Sequence, residues 1–254
     1  MTDSYEVHVI RYGELKSRVL TDVLLGGVAG EAGQRRIGVG YHVFVLLGPG
    51  GPFVFDTGAD QAAMAARGRD TVLPLEQGLS RLGVDPQGRG ASIVQTHLHW
   101  DHAGNHRLLA EAQVHLQQRE MAFASTRGLA DPWFRAGYDA PDIAAMAHRI
   151  ADGRVVLHDG DVQLAPGLSL HLVGGHTDGL MLARVHTRRG WMVVAGDVVA
   201  YRENFSRRVP FPHLYHVGDA LRGIDRAREL ADEDALVVPG HDPAISPELV
   251  TRLD

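Results

Sequence analysis

Short apolar runs, separated by glycine-rich and polar clusters, set the rhythm of the chain. Val7–Tyr12 predicts a first strand. Gly40–Leu47 and Phe53–Phe55 flank Gly48-Pro49-Gly50-Gly51, which predicts a hairpin. Further strands are expected at Ala91–Gln95, Val114–Leu116, Val155–Leu157, Leu168–Val173, Leu180–Val185, Trp191–Ala195 and Ala235–Val238. Helices are expected at Leu75–Leu82, Ala103–Ala110, Gln117–Ala124, Asp219–Leu230 and, at the end of the chain, Pro247–Leu253. Another runs from Pro141 to Ile150, with proline at the favoured first position. Strand clusters followed by helices occur twice, at about residues 1–120 and 150–254, so the chain reads as two related halves of one α/β domain. Between them, residues 125–141 carry Trp133, Phe134 and Tyr138. This segment is either a lid or a surface connection tucking aromatics onto the core. Leu20–Gly40 is glycine-rich and contains Leu20, Val23, Leu24, Leu25 and Val28. It either flanks a site and holds an apolar tail or is core packing beside a loop.

Composition narrows the class. The 254 residues are 44% hydrophobic and 22% charged, ordinary for a globular chain. A net charge of −6 argues against a nucleic-acid partner and against binding to an anionic membrane. The absence of cysteine excludes disulfides, thiol nucleophiles and thiolate metal ligands. Lys16 is the single lysine and lies in a polar stretch, so a lysine Schiff base is not expected. No apolar run is long enough to span a bilayer, and Met1–Glu6 is polar and acidic without a leader pattern, so a cytoplasmic protein is expected. Histidine is the outlier: 15 residues, more than phenylalanine and tyrosine together. Neutral imidazole is the commonest metal ligand.

The histidines are not scattered evenly. His97, His99, Asp101 and His102 fall within the run Thr96-His97-Leu98-His99-Trp100-Asp101-His102-Ala103-Gly104-Asn105, directly after the strand Ser92–Gln95. Alternate residues of an extended segment point the same way, so His97 and His99 can reach one metal ion. Asp101 and His102 follow as the chain turns and can reach a second position. Asp56, His176, Asp197 and His241 each lie just beyond another apolar run, and His176, Asp197 and His241 each follow a glycine. Loops at the carboxyl ends of strands are where α/β folds place their sites. Nitrogen and oxygen donors without thiolate suit zinc, and also iron, manganese or cobalt.

These motifs resemble the metallo-β-lactamase superfamily. Asp56 stands in Phe-Asp-Thr-Gly, His176 in Gly-Gly-His-Thr, Asp197 in Gly-Asp and His241 in Pro-Gly-His-Asp, in the same order around the His97–His102 cluster. The resemblance implies a four-layer αββα sandwich with two divalent metal ions at one edge. It implies that His97, His99 and His176 hold one metal, that Asp101, His102 and His241 hold the other, and that Asp197 bridges. Asp56 would accept the free N–H of a ligand histidine.

Within the superfamily the sequence is most similar to the N-acyl homoserine lactonases. The cluster, the stretch Gly196-Asp197-Val198-Val199-Ala200-Tyr201-Arg202-Glu203-Asn204-Phe205 and the ending Val238-Pro239-Gly240-His241-Asp242 carry this similarity. It implies lactone-ring opening by attack of a dimetal-bound hydroxide. Asp101 would protonate the leaving group and Tyr201 would hydrogen-bond the lactone carbonyl. The substrate is then a small molecule with an apolar portion, and a homodimer is compatible with this reading. His106, His213, His216, Trp100, Phe205 and Phe211 are further candidates for the pocket wall. The alternatives are hydrolysis of another cyclic ester, ester or amide, and a mononuclear-iron redox enzyme of the same superfamily.

Overall fold

The computed structural model describes residues 4–254. Met1–Asp3, the start of the polar segment read as lacking a leader, lies outside the described residues. Along the chain the strands are β1 (Glu6–Leu15), β2 (Val39–Leu47), β3 (Phe53–Phe55), β4 (Gly58–Ala59), β5 (Asp70–Thr71), β6 (Ser92–Val94) and β7 (Gln113–Gln117). There follow β8 (Val155–His158), β9 (Val162–Ala165), β10 (Leu168–Leu172), β11 (Met181–Thr187), β12 (Gly190–Gly196), β13 (Val237–Pro239) and β14 (Val250–Arg252). One sheet runs β14-β1-β2-β3-β6-β7-β8, with β5 paired to β1 off that path. The other runs β13-β12-β11-β10-β9.

Alternation along each strand decides the layering. Phe44 and Leu46 of β2 join Val7, Phe55, Leu170, Met181 and Val194 in a core between the two sheets. Val43, Val45, Val54 and Ile93 face the opposite way and share a core with Leu79 of the helix Leu75–Arg81 and Met146 of the helix Ala140–Ala151. On the second sheet, Leu182, Val193 and Val237 face Ile224, Ala227 and Leu230 of the helix Val217–Leu230. Strands that are apolar on both faces must be covered on both, and the result is the expected helix–sheet–sheet–helix order. No helix of the described residues is long and apolar enough to cross a membrane.

Several local expectations differ from the structure. Residues 105–110 form turns, and the helix there is only Trp100–Ala103. Arg149 Nη2 binds the carbonyls of His106, Leu108 and Leu109, and Leu109 takes a left-handed φ of 53°, so this backbone is committed elsewhere. The expected terminal helix is instead β14, paired antiparallel with β1 at His8↔Arg252 and Ile10↔Val250. An open sheet edge offers more hydrogen bonds than a short, exposed final helix could keep. Residues 125–141 are largely helical, through a π-helical turn at Ala124–Gly128 and a short helix at Pro132–Arg135. β9 is an additional strand, and β8 pairs with β7, so it belongs to the first sheet.

On that edge, His115 and His158 stack with ring centroids 5.3 Å apart and Nδ1···Nε2 at 3.1 Å. Burial, then the neighbouring imidazole, holds His115 down to about 4. The unfolded chain therefore takes up this proton near pH 6.5, while the folded chain refuses it until about pH 4. The stability this contributes is complete above pH 6.5 and lost as pH falls toward 4. Chemical denaturation across that window should show His115→Gln losing less stability than the parent chain, by on the order of 2 kcal/mol after allowance for solvent screening. Parallel curves for the two proteins would refute this.

Candidate active site

The strand directions bring the motif residues to one edge. β3 and β6 run parallel, and so do β12 and β13. Asp56 and the His97–His102 cluster therefore leave neighbouring strand ends, as do Asp197 and His241. The Asp56 N–H donates to the Val94 carbonyl, and the His241 N–H to that of Ala200. Met181 N–H donates to the Thr96 carbonyl and ties the second sheet to the first at the site.

Asp56 is the anchor of the cluster. It sits at a left-handed φ of 67°, a costly conformation for a residue with a side chain. Its carboxylate accepts from Thr96 N (2.7 Å), Thr96 Oγ1 (2.8 Å) and Gln95 Nε2 (3.1 Å), and from His102 Nδ1 (2.7 Å). The last contact is the one expected of Asp56: it fixes the His102 tautomer and turns Nε2 inward. Three other histidines are fixed in the same way. His97 Nδ1 meets Thr96 Oγ1 at 3.1 Å, His176 Nδ1 meets the His213 carbonyl at 2.6 Å, and His241 Nδ1 meets the Gly40 carbonyl at 2.9 Å. Each leaves Nε2 for the site. His99 instead presents Nδ1, 2.9 Å from His176 Nε2.

The inward atoms fall into three groupings compatible with a cation: His97, His99 and His176; Asp101, His102 and His241; and His97, His102 and Asp197. Asp197 stands between the first two. Its Oδ2 is 3.2 Å from His176 Nε2, while its Oδ1 is 3.1 Å from His241 Nε2 and 3.4 Å from His102 Nε2. Asp101 Oδ2 lies 3.8 Å from both His102 Nε2 and His241 Nε2. His97 Nε2, His102 Nε2 and Asp197 Oδ1 are buried yet make no aligned hydrogen bond among the described residues. Buried lone pairs aimed at a common point, without donors, fit a divalent cation. The donor set therefore fits two ions, with Asp197 able to give one oxygen to each.

Electrostatics agree. Burial, then the neighbouring imidazoles, keeps His97 and His99 well below the usual histidine range, and burial takes His176 to about 4. These rings are neutral and ready to bind. Burial opposes charge on His102 too, but Asp197, Asp101 and Asp56 overcome it and push this ring up to about 10. The carboxylates thus draw positive charge to this spot. Burial resists ionisation of Asp197, yet His241 and His102 hold its carboxyl well below the ordinary range.

The groupings open into a cavity of about 470 Å3, within the range of small-molecule sites. Its wall includes Trp100, Phe211 and His213, as expected, together with Trp133 and Gly137 from the segment 125–141, for which a lid and a surface connection were both open. Tyr201 lines it as well, its hydroxyl donating to the Gly38 carbonyl at 3.1 Å. From Leu20–Gly40, Asp22 and Val39 reach the cavity, while Leu20, Val23 and Leu24 pack on Ala200 and Tyr201. Three expected wall residues lie elsewhere. His106 meets Asp142 at 3.2 Å, His216 accepts the Asp219 N–H at the start of the helix Val217–Leu230, and Phe205 packs under that helix.

The model of the metallo-beta-lactamase superfamily matches residues 37–241. The chain belongs to that superfamily. An N-acyl homoserine lactonase of Bacillus sp is 26% identical over 211 residues, 76% of this chain and 77% of the relative. The crystal structure of a quorum-quenching N-acyl homoserine lactone lactonase superposes with a TM-score of 0.76 at 21% identity, covering 97% of this chain and 95% of the other. AidC, described as a dizinc quorum-quenching lactonase, superposes with a TM-score of 0.71 at 15% identity over 95% of this chain and 89% of its own. At these identities the structural likenesses establish the fold.

One residue of this superfamily member was not anticipated from the sequence. Glu120 is fully buried behind the cluster. It accepts from Leu98 N (2.9 Å), Tyr138 Oη (3.1 Å), Thr177 Oγ1 (2.6 Å) and Gly179 N (3.1 Å). It thereby clamps the residue between His97 and His99 to the residue after His176. Gly179 permits the approach, since a Cβ there would sit 2.2 Å from the Glu120 nitrogen. The only signal in the sequence was an acidic residue in an otherwise unremarkable helix, Gln118–Phe123.

Proposed function

We propose that the chain opens the ring of a lactone, an N-acyl homoserine lactone or a related cyclic ester, as a dinuclear metal-dependent hydrolase. The observation that supports this best is the pair of His/Asp groupings meeting at Asp197 on the wall of an open cavity. The N-acyl homoserine lactonase relatives point to the same class of ester. His97, His99 and His176 would hold one ion, Asp101, His102 and His241 the other, with Asp197 shared; zinc suits the donors best. Such ions supply Lewis acidity and lower the pKa of water.

The chain's own groups do the rest. Asp101 faces the cavity with 14% of its side chain exposed. It takes the proton released as water adds to the lactone carbonyl and returns it to the ring oxygen as the C–O bond breaks, leaving a hydroxy acid. Tyr201 would reach the carbonyl by exchanging its bond to Gly38. Trp133, Phe211 and Pro212 give an apolar surface for a substrate tail.

The test combines metal analysis with turnover on one preparation, using acyl homoserine lactones and simple γ- and δ-lactones. Two divalent ions per chain and ring opening abolished by a chelator are expected. Two ions without lactone turnover would move the reading to another ester or amide. A single iron with no hydrolysis would overturn it.

A further inference from the structure

We infer that Arg18, Arg69 and Tyr41 form an anion-binding subsite in the cavity wall, and that the substrate carries a carboxylate in addition to the ring that is opened. The inference rests on the hydrolytic reading of the same cavity and specifies its substrate class.

Both arginines line the cavity that holds His99, Asp101, Asp197 and His241. Several arginines of this acidic chain meet a carboxylate within hydrogen-bond distance: Arg119 meets Asp178 at 2.7 Å, and Arg208 meets Asp225 at 2.6 Å. The cavity pair do not. The acid nearest Arg18 is Asp22, at 3.9 Å. Arg69 has no ion pair among the described residues; it gives Nε to Tyr41 Oη (2.8 Å) and Nη1 to the Arg67 carbonyl (2.5 Å). Those two bonds fix the guanidinium plane and leave Nη2 uncommitted. The Arg18 carbonyl accepts the Ile37 and Gly38 N–H groups, which fixes this residue beside the Val39 wall.

Tyr41 lines the same cavity and is hydrogen-bonded to Arg69. Its oxygen accepts from Arg69, so its own proton remains available for a ligand. The ring is held edge-on to His241, with centroids 5.6 Å apart, and tilted against Trp100 at 5.8 Å. Burial and Asp101 push the Tyr41 phenol up to about 12, while Arg69 and, more weakly, Arg18 act against that rise. Arg18, Tyr41 and Arg69 line the same cavity. A planar guanidinium with a free N–H group and no acid of its own, beside an aligned phenol, is complementary to a carboxylate. Asp22, also at the cavity, competes with that ligand for Arg18.

The experiment compares lactones whose acyl tail ends in a carboxylate with their methyl esters of equal length, in the parent enzyme and in Arg18→Gln/Arg69→Gln. The parent should favour the carboxylate form by roughly tenfold in kcat/KM, chiefly through KM. The double variant should bring the ratio close to one, Arg69→Lys should keep part of it, and Asp22→Asn should raise it. Calorimetry with glutarate against its monomethyl ester gives a second readout. The parent should bind glutarate more tightly, and the double variant should not distinguish the two. Lactone turnover with no preference and no discrimination in binding would overturn the subsite and leave the hydrolytic reading intact. Arginine-dependent glutarate binding without turnover of any lactone would support the subsite and overturn the reaction assigned to it.

Discussion

Asp197→Ala is expected to lose both metal binding and hydrolysis. Its two carboxylate oxygens face different histidine groupings at 3.1–3.4 Å, so one substitution takes a donor from each. It also removes the negative charge that holds His102 and His241 in their raised states. Without it, two cations would be crowded among neutral imidazoles with only Asp101 and the more distant Asp56 to offset them. Losing several kcal/mol of Lewis-acid stabilisation, at about 1.4 kcal/mol per tenfold, corresponds to a rate loss on the order of 10³ or more. Elemental analysis should find fewer than two ions per chain, with far-UV circular dichroism unchanged. Asp197→Asn keeps the shape and tests the charge alone. Two tightly held ions, or activity within tenfold of the parent, would refute the shared role of Asp197.

Glu120→Ala should be the most destabilising single change near the site. It strands the Leu98 and Gly179 N–H groups and the Tyr138 and Thr177 hydroxyls in a closed interior. At about 1–3 kcal/mol per unsatisfied buried donor, with partial relaxation, the loss is on the order of 4 kcal/mol or more. That is a large part of the roughly 5–15 kcal/mol that holds a domain folded. Glu120→Gln keeps the volume and one acceptor, so it should fall between the alanine variant and the parent. Because Leu98 lies between His97 and His99, metal affinity should fall along with stability. Urea unfolding with and without added zinc reads both effects. An alanine variant within about 1 kcal/mol of the parent would show that Glu120 does not hold the loops together.

How much of this was legible beforehand follows from where each interaction lies along the chain. The cluster His97–His102 was readable because its residues are neighbours, and alternation on an extended segment needs no tertiary information. Asp56, His176, Asp197 and His241 were readable as polar residues ending apolar runs. Most strands were visible because burial on both faces leaves continuous apolar stretches. The two misread helices failed for the opposite reason: residues 105–110 are committed to Arg149, 39 or more positions away, and Val250–Arg252 completes an edge more than 230 residues upstream.

The sequence by itself determined the α/β class and the clustering of nitrogen and oxygen donors, and the order of its motifs carried the resemblance to the family and, through it, the expected layering. The first two follow from local pattern and residue type. Only the tertiary structure decided which nitrogen each imidazole presents, because tautomers depend on partners such as Asp56, Gly40 and the His213 carbonyl that folding brings near. It alone gave Glu120 its four donors and the distances at which Asp197, expected from the resemblance to bridge, stands between the groupings. It alone brought Arg18 and Arg69 to one cavity and left Arg69 without an acid partner among the described residues. Charge and hydrogen bonding act through space, so the environment of a buried polar group is set by the fold.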